Sequence, residues 1–148
     1  MANNEYRKLP TGIQSFNKIR EENYLYVDKT DIIWNLANKG KQYNYLSRPR
    51  RFGKSVLVDT LQCYFEGRKE LFEGLKIMNL EKDWKAYPVI RLDMSRGGAN
   101  AETLRSYLNL RFGFYEEKYA ITPDSTAQLA DRFDAIITTA YKQTGLKV

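Results

Sequence analysis

The chain has 148 residues, of which 43% are hydrophobic and 28% charged, an ordinary balance for one compact domain that argues against a disordered tail. No apolar run approaches the roughly 20 residues of a membrane span, and one cysteine without any histidine excludes intramolecular disulfides, Cys/His zinc sites and histidine-based catalytic units. We therefore expect a soluble, cytoplasmic protein with no membrane partner.

The first half of the chain predicts two strands around one helix. A short run of aromatic and β-branched residues at 24–27 is typical of an extended segment. Asp28 or Thr30 is expected to cap a helix that ends at Gly40. Residues 43–46 then predict a second strand, which leads into a basic loop.

The second half predicts three helices and one further strand. Apolar residues at helical spacing indicate a helix over 55–66. A strand is expected at 89–92, followed by a helix over 101–119, with Asn100 as its N-cap, and by a last helix from about 125 to 142. This order of strands and helices predicts the α/β class, with the strands of a parallel sheet flanked by helices.

The last three residues, 146–148, follow a glycine that is expected to end the last helix, and they are typical of the start of another strand. Parallel strands are normally covered on both faces, so a domain seldom ends so abruptly. We therefore expect a truncated domain whose open sheet edge favours self-association.

Positive charge is concentrated in one segment. The net charge is +6, and no acidic residue lies between Asp31 and Asp59. Cations that together equal the whole net charge occupy this interval: Lys39, Lys41, Arg48, Arg50, Arg51 and Lys54. One interpretation is a solvated loop. The other is a binding site for phosphate, a nucleotide or nucleic acid.

The segment from Arg48 to Ser55 has features of a phosphate-binding loop, since it follows a predicted strand and opens a predicted helix. Gly53 lets the main chain approach a phosphate without an intervening Cβ, and N–H groups at the helix N-terminus point at the anion. Lys54 can reach the β- and γ-phosphates, and the Ser55 hydroxyl can complete the shell of a Mg²⁺ ion. The full pattern has a glycine where Arg48 stands, so a basic turn is the alternative.

Several motifs occur in one order along nearly the whole chain. They comprise residues 9–16 (LPTGIQSF), 26–30 (YVDKT), 46–55 (LSRPRRFGKS), 64–67 (YFEG), 71–75 (LFEGL) and 87–93 (YPVIRLD). In this order the motifs resemble those of the predicted AAA-ATPase-like family, which is common in gut Bacteroidetes and related bacteria. In many members a restriction-nuclease-like domain follows the ATPase region, and an arginine in place of the first loop glycine is normal in the family.

The resemblance implies that residues 1–148 are the N-terminal part of a P-loop AAA-ATPase-like domain that binds ATP and Mg²⁺. The ATP-binding residues that it implies are Arg50, Arg51, Phe52, Gly53, Lys54 and Ser55, with Ser55 also at the metal. In the family, a segment like 140–148 runs into the Walker B strand, whose acidic residues serve Mg²⁺ and water. We therefore expect this chain to hold no catalytic residue. Hydrolysis and contact with nucleic acid are expected only of a full-length protein.

A nucleic-acid-binding module is the alternative function, with the basic segment from Lys39 to Lys54 contacting backbone phosphates. It predicts binding that weakens steeply with salt and needs no magnesium. The 11 tyrosines offer stacking surfaces for bases, although the spacing of most of them fits core packing.

Three other features have competing interpretations. Asp93 closes a predicted strand and is either a metal-site acid or a strand-end cap. Ile13 and Phe16 form either an apolar wall for adenine or part of the core. Residues 116–118 (EEK) imitate a nuclease E-x-K motif, but we reject that assignment because adjacent glutamates on a predicted helix are usually a solvated face.

Overall fold

The structure is a computed structural model that describes residues 6–41, 43–47, 49, 51–97, 100–122, 124 and 126–148, and the chain divides into two compact units, Met1–Ala86 and Tyr87–Val148. The first unit contains α1 (Phe16–Glu21), α2 (Thr30–Lys39), α3 (Lys54–Phe65), a 3₁₀ helix (Lys69–Phe72) and α4 (Ile77–Leu80). The second contains a 3₁₀ helix (Met94–Gly97), α5 (Ala101–Lys118) and α6 (Leu129–Thr144). Across these ranges, no helix combines the length and the apolar character that crossing a membrane requires.

The core of the first unit is built around aromatic side chains. Phe16 of α1 and Phe72 are fully buried, and their ring centroids lie 4.9 Å apart. Trp84 packs on the ring of Phe72 at 5.2 Å. Ile33 of α2 and Cys63 of α3 join the same cluster. Each fully buried side chain of this size stabilises the folded state by about 1.5–3 kcal/mol, so this cluster is what holds α1, α2 and α3 together.

The prediction that Asp28 or Thr30 caps α2 is wrong, because the N-cap residue is Lys29, whose side chain makes no capping hydrogen bond. The region instead joins α2 to α4. The Thr30 main-chain N–H and hydroxyl both donate to Asp28 Oδ1, at 2.9 and 2.7 Å. The second carboxylate oxygen of Asp28 accepts the Lys76 N–H at 2.7 Å, and Thr30 Oγ1 accepts the Ile77 N–H at 3.1 Å. Asp28 therefore stabilises the fold by accepting hydrogen bonds at the starts of α2 and α4.

The core of the second unit lies between α5 and α6. Phe112 and Tyr115 of α5 are buried together with Ile136 and Ala140 of α6. The rings of Phe112 and Phe133 are stacked with centroids 5.4 Å apart. This apolar seam explains why the two helices pack on each other.

A buried ion pair closes one side of this seam. Arg132 of α6 donates from Nε and Nη2 to the two carboxylate oxygens of Glu116, at 2.7 and 2.8 Å. The predicted helix at this position is confirmed, but the expectation of a solvated face is wrong for Glu116, whose side chain is only 4% exposed. Glu116 is thus committed to a structural pair with Arg132.

The predicted α/β class is wrong for the part of the chain that the structure describes, which is helical and has no β-strand. A strand exists only where another strand pairs with its main chain, and among the described residues the segments 24–27, 43–46 and 146–148 form no strand pairing. Leu25 makes a single bond of this kind, from its N–H to the Lys8 carbonyl at 2.9 Å. Tyr43 and Tyr45 are 84% and 92% exposed, whereas strands of a parallel sheet are buried on both faces. The described residues therefore offer no parallel sheet of a P-loop domain, and no sheet edge for self-association.

The segment predicted as a strand at 89–92 instead packs along α5 through tyrosine hydroxyls. The Arg91 N–H donates to Tyr115 Oη at 2.7 Å, and the Asp93 N–H donates to Tyr107 Oη at 2.6 Å. Main-chain N–H groups need hydrogen-bond acceptors, and here tyrosine side chains of α5 supply them in place of a neighbouring strand.

The helix predictions are confirmed as elements and differ at their ends. The starts of α3 and α5 lie within one residue of prediction, and the Asn100 side chain caps α5 by accepting a first-turn N–H at 2.9 Å. However, α6 begins at Leu129, later than predicted. The reason is local, because Asp124 Oδ1 accepts from the N–H and hydroxyl of Thr126, at 2.8 and 2.6 Å, and this turn competes with a helical start. Ser125 lies outside the described residues.

Candidate phosphate-binding site

The N-terminus of α3 has the electrostatic character of an anion site. The first described helical bond of α3 runs from the Leu57 N–H to the Gly53 carbonyl at 3.0 Å, so the N–H groups of residues 55 and 56 precede the hydrogen-bonded ladder. No side chain caps this end, and the first turn holds no acidic residue. The helix dipole and these N–H groups therefore favour a negative charge here.

The main chain just before α3 turns sharply. Gly53 has φ +72°, in the left-handed region, and a Cβ built on it would meet nothing within 4 Å. Arg51 also has a left-handed φ of 68°, a conformation that costs a non-glycine residue about 1 kcal/mol or more. The open space at Gly53 leaves the main chain accessible to a ligand of phosphate size.

A cavity of about 670 Å³ lies at this helix start, within the usual size range of small-molecule sites. One wall is the loop and first turn of α3; the other is the turn at 10–14. The lining residues are Pro10, Thr11, Gly12, Ile13, Gln14, Arg51, Gly53, Lys54, Ser55 and Val56. Two of these side chains are cationic and none is acidic, so the net charge of the lining is positive.

Contacts between α1 and α3 hold the two walls together. Asp59 Oδ2 accepts the Phe16 N–H at 2.7 Å, which joins the second residue after the 10–14 turn to the second turn of α3. One helical turn further on, the Cys63 thiol donates to Asn17 Oδ1 at 2.7 Å. Burial raises the pKa of Cys63 to about 12, so the thiol keeps its proton and its role as donor. The cavity is therefore a built feature of the first unit.

The predicted site residues are only partly brought together. Arg51, Gly53, Lys54 and Ser55 line the cavity, whereas the 64% exposed Phe52 does not. Arg50 lies outside the described residues, as does Arg48, which stands where the usual pattern has its first glycine.

The structure separates the two residues considered for an adenine wall. Phe16 is fully buried in the core of the first unit, while Ile13 is partly buried and lines the cavity. Only Ile13 is thus placed to contact a ligand. Sequence reasoning missed the rest of the 10–14 turn and the role of Asp59, although the motif over 9–16 was a signal that this turn matters.

Asp93, considered as a metal-site acid, lies in the second unit. Hydrogen bonds from Ser95 keep the pKa of the Asp93 carboxyl below its ordinary value, and Arg96 Nε lies 3.5 Å from its Oδ2. Among the residues that the structure describes, no group of three or more acidic or cysteine side chains could hold a metal ion. These contacts give Asp93 a local structural role in its turn.

One comparison with known proteins identifies a family. The model of a family described as "Predicted AAA-ATPase" matches residues 10–148. A protein of Azotobacter chroococcum mcd 1, "Uncharacterized protein in vnfD 5'region", is 48% identical over 93 residues, which are 62% of this chain and 18% of that protein. The match thus spans less than a fifth of this relative. No solved structure matches the chain.

Proposed function

Because the chain belongs to the predicted AAA-ATPase family, we propose that it binds ATP through the phosphates, in the cavity between the 10–14 turn and the start of α3. The observation that carries the proposal is a positive cavity, free of acidic lining, at an uncapped helix N-terminus. The proposal rests on these local features and requires no parallel sheet.

Three groups would share the phosphate charge. The main-chain N–H groups of residues 55 and 56 would donate to phosphate oxygens, and Gly53 would let them approach. The Lys54 ammonium and the Arg51 guanidinium both line the cavity and would neutralise the outer phosphates. The partly buried Ile13 offers an apolar contact for the base or sugar.

The donor set also suits a magnesium ion that arrives with the nucleotide. Mg²⁺ is normally held by one or two protein oxygens together with phosphates and waters, and the exposed Ser55 hydroxyl in the cavity lining is such an oxygen. Bound there, the ion would neutralise phosphate charge. Ser55 would be its protein ligand, and Ser55→Ala would therefore reduce the magnesium dependence of ATP binding.

Binding without turnover is the expected behaviour of these 148 residues. Phosphoryl transfer to water needs a group that orients the water, and no carboxylate lines the described cavity. We propose that ATP hydrolysis, and any DNA-directed activity coupled to it, belongs to a longer protein.

Calorimetric titration of Mg-ATP, compared between two lysine variants, tests the proposal. Lys54→Ala should weaken binding at least tenfold, because it removes a charge-assisted contact to phosphate. Lys69→Ala is the matched control, since it removes the same charge from an exposed residue of the first unit that does not line the cavity.

Two outcomes would overturn the proposal. One is that wild type fails to bind Mg-ATP; the other is that Lys54→Ala and Lys69→Ala bind it equally well. A protein that instead binds oligonucleotides without magnesium, and loses them steeply with added salt, would support the nucleic-acid-binding alternative.

A further inference from the structure

A second cavity, lined by arginines, lies within the second unit and belongs to no site described above. Its volume is about 230 Å³, and it forms where the segment 91–96 meets α5. The side chains that line it are Arg91, Asp93, Arg96, Tyr107 and Arg111. Three guanidinium groups face one carboxylate, so the lining carries a clear excess of positive charge.

The carboxylate in this lining is already compensated. Arg96 Nε lies 3.5 Å from Asp93 Oδ2, and Asp93 Oδ1 accepts hydrogen bonds from the N–H and hydroxyl of Ser95. The charge of Asp93 is therefore offset by Arg96. The lining as a whole still holds three guanidinium groups against this one carboxylate, so its net charge is positive.

Two aromatic rings position the Arg111 guanidinium, whose N–H groups can still donate to a ligand. Its guanidinium lies over the rings of Phe114 and Tyr115, with its central carbon 5.2 and 5.3 Å from the ring centroids. Its Nη2 makes only long hydrogen bonds, of 3.4 Å to the Arg91 carbonyl and 3.3 Å to Tyr115 Oη. Its Nε is buried and has no hydrogen-bond partner among the described residues. A buried N–H group without an acceptor lowers the stability of the folded state, so an acceptor on a bound ligand would be favourable here.

Tyr107 adds a neutral donor to the same lining. Its hydroxyl oxygen accepts the Asp93 N–H at 2.6 Å, and none of the described contacts uses its hydroxyl proton. The hydroxyl is held by this bond at the cavity wall, where its proton can be donated to a bound acceptor.

We propose that this cavity binds a phosphoryl group, either free phosphate or a small phosphate monoester. Guanidinium groups present planar pairs of donors that match phosphate oxygens, and the Tyr107 hydroxyl supplies one further donor. A tetrahedral dianion uses more of these donors than a planar monoanion does. Because the cavity lies in the other unit from the ATP cavity, the proposal does not depend on ATP binding at the α3 N-terminus.

Titration with inorganic phosphate and with glycerol phosphate, followed by ¹H–¹⁵N NMR at constant ionic strength, tests the proposal on the full chain. We expect saturable shifts at residues 91–96 and 107–111 with at least one of the two, and the one that binds tells whether free phosphate or an ester is preferred. Repeating the titration on Lys54→Ala separates the sites, because the shifts in the second unit should persist unchanged.

Charge variants should move the affinity in opposite directions. Arg111→Gln should weaken phosphate binding about tenfold, and Arg96→Gln, which alters only an exposed side chain, about threefold. Asp93→Asn should strengthen binding about threefold, since it removes the one negative charge from the lining. Arg105→Gln is the matched control, an exposed arginine of α5 outside the cavity, and should leave the affinity unchanged.

Three results would overturn the proposal. The first is the absence of saturable shifts in these segments with both phosphate compounds. The second is that acetate binds there as tightly as phosphate, which would indicate general attraction of anions. The third is that Arg105→Gln weakens binding as much as Arg96→Gln does.

Discussion

The local sequence predicts the positions of some residues of α3 and of the loop before it, but not the contacts of others. Gly53, Lys54 and Ser55 lie at a helix start because their immediate neighbours place them there, and the cavity lining includes all three. Asp59 gave no such signal, since its role depends on an N–H group 43 positions earlier in the chain. The place of these three residues at a helix start was therefore predictable, and the partner from a distant segment was not.

Glu116→Gln should destabilise the protein in a pH-dependent way. The hydrogen bonds from Arg132 lower the pKa of Glu116 below its ordinary 4.5, so the ionised pair stabilises the fold above about pH 4.5. That stabilisation is lost as the pH falls through the lower pKa of the folded state. At pH 7 the variant should lose about 3 kcal/mol of unfolding free energy, because Arg132 is left buried without its counter-ion.

Urea denaturation of wild type and variant between about pH 3 and pH 7 measures this effect. Glu117→Gln is the matched control, since Glu117 is the exposed neighbour on the same helix and should change stability by about 0.5 kcal/mol or less. Equal stability of Glu116→Gln and wild type at pH 7 would contradict the structural role of the pair.

Cys63 should resist thiol reagents in the native protein. Burial raises its pKa from an ordinary 9.0 to about 12, and only the thiolate reacts. At pH 8 we expect labelling at least tenfold slower in native protein than in urea-unfolded protein, where the ordinary pKa returns. Ellman's reagent gives both rates directly. Equal rates in the two states would show that the thiol is accessible in the folded protein.

At the scale of elements, the helices depend on local signals and the predicted strands on partners. Asn100 caps α5, and apolar residues recur at helical spacing along α3 and α6, so each helix is encoded within its own segment. A strand has no such independence, because its hydrogen bonds go to another segment. Residues 91 and 93 illustrate the point, since their N–H groups bind tyrosine hydroxyls of α5.

Asp59→Ala should weaken both the fold of the first unit and the proposed ATP site. The substitution leaves the Phe16 N–H without its acceptor, which should lower the unfolding free energy by about 1–2 kcal/mol. It also loosens the 10–14 turn relative to α3, so Mg-ATP affinity should fall severalfold. Thermal denaturation and calorimetry measure the two effects.

Asp59→Asn is the control for that experiment, because its amide oxygen can still accept the N–H. It should retain most of the stability and most of the affinity. If Asp59→Ala matches wild type in stability, the bond between α1 and α3 does not contribute as described. If only the affinity is unchanged, the turn is not a wall of the ATP site.

At the scale of the whole molecule, the family was predictable while the fold class was not. The order of short motifs indicated the predicted AAA-ATPase-like family, and the family match over residues 10–148 confirms it. The α/β class was predicted from apolar runs and their alternation with helices, yet the described residues form two helical units. Short motifs can be recognised one segment at a time, so their order is visible in the sequence. A sheet forms only when several distant segments pair with one another, and no single segment shows whether they do.

The sequence by itself determined α2, α3, α5 and α6, the N-cap at Asn100 and the cationic loop before α3, because these depend on neighbours within a few residues. The turn at Gly145, with a left-handed φ of +68°, belongs to the same class. Only the tertiary structure decided which apolar runs remain unpaired, that Glu116 is buried against Arg132, and that the 10–14 turn closes over the α3 N-terminus. Each of these rests on contacts between segments far apart in the chain, and no local pattern encodes which distant group will supply the partner.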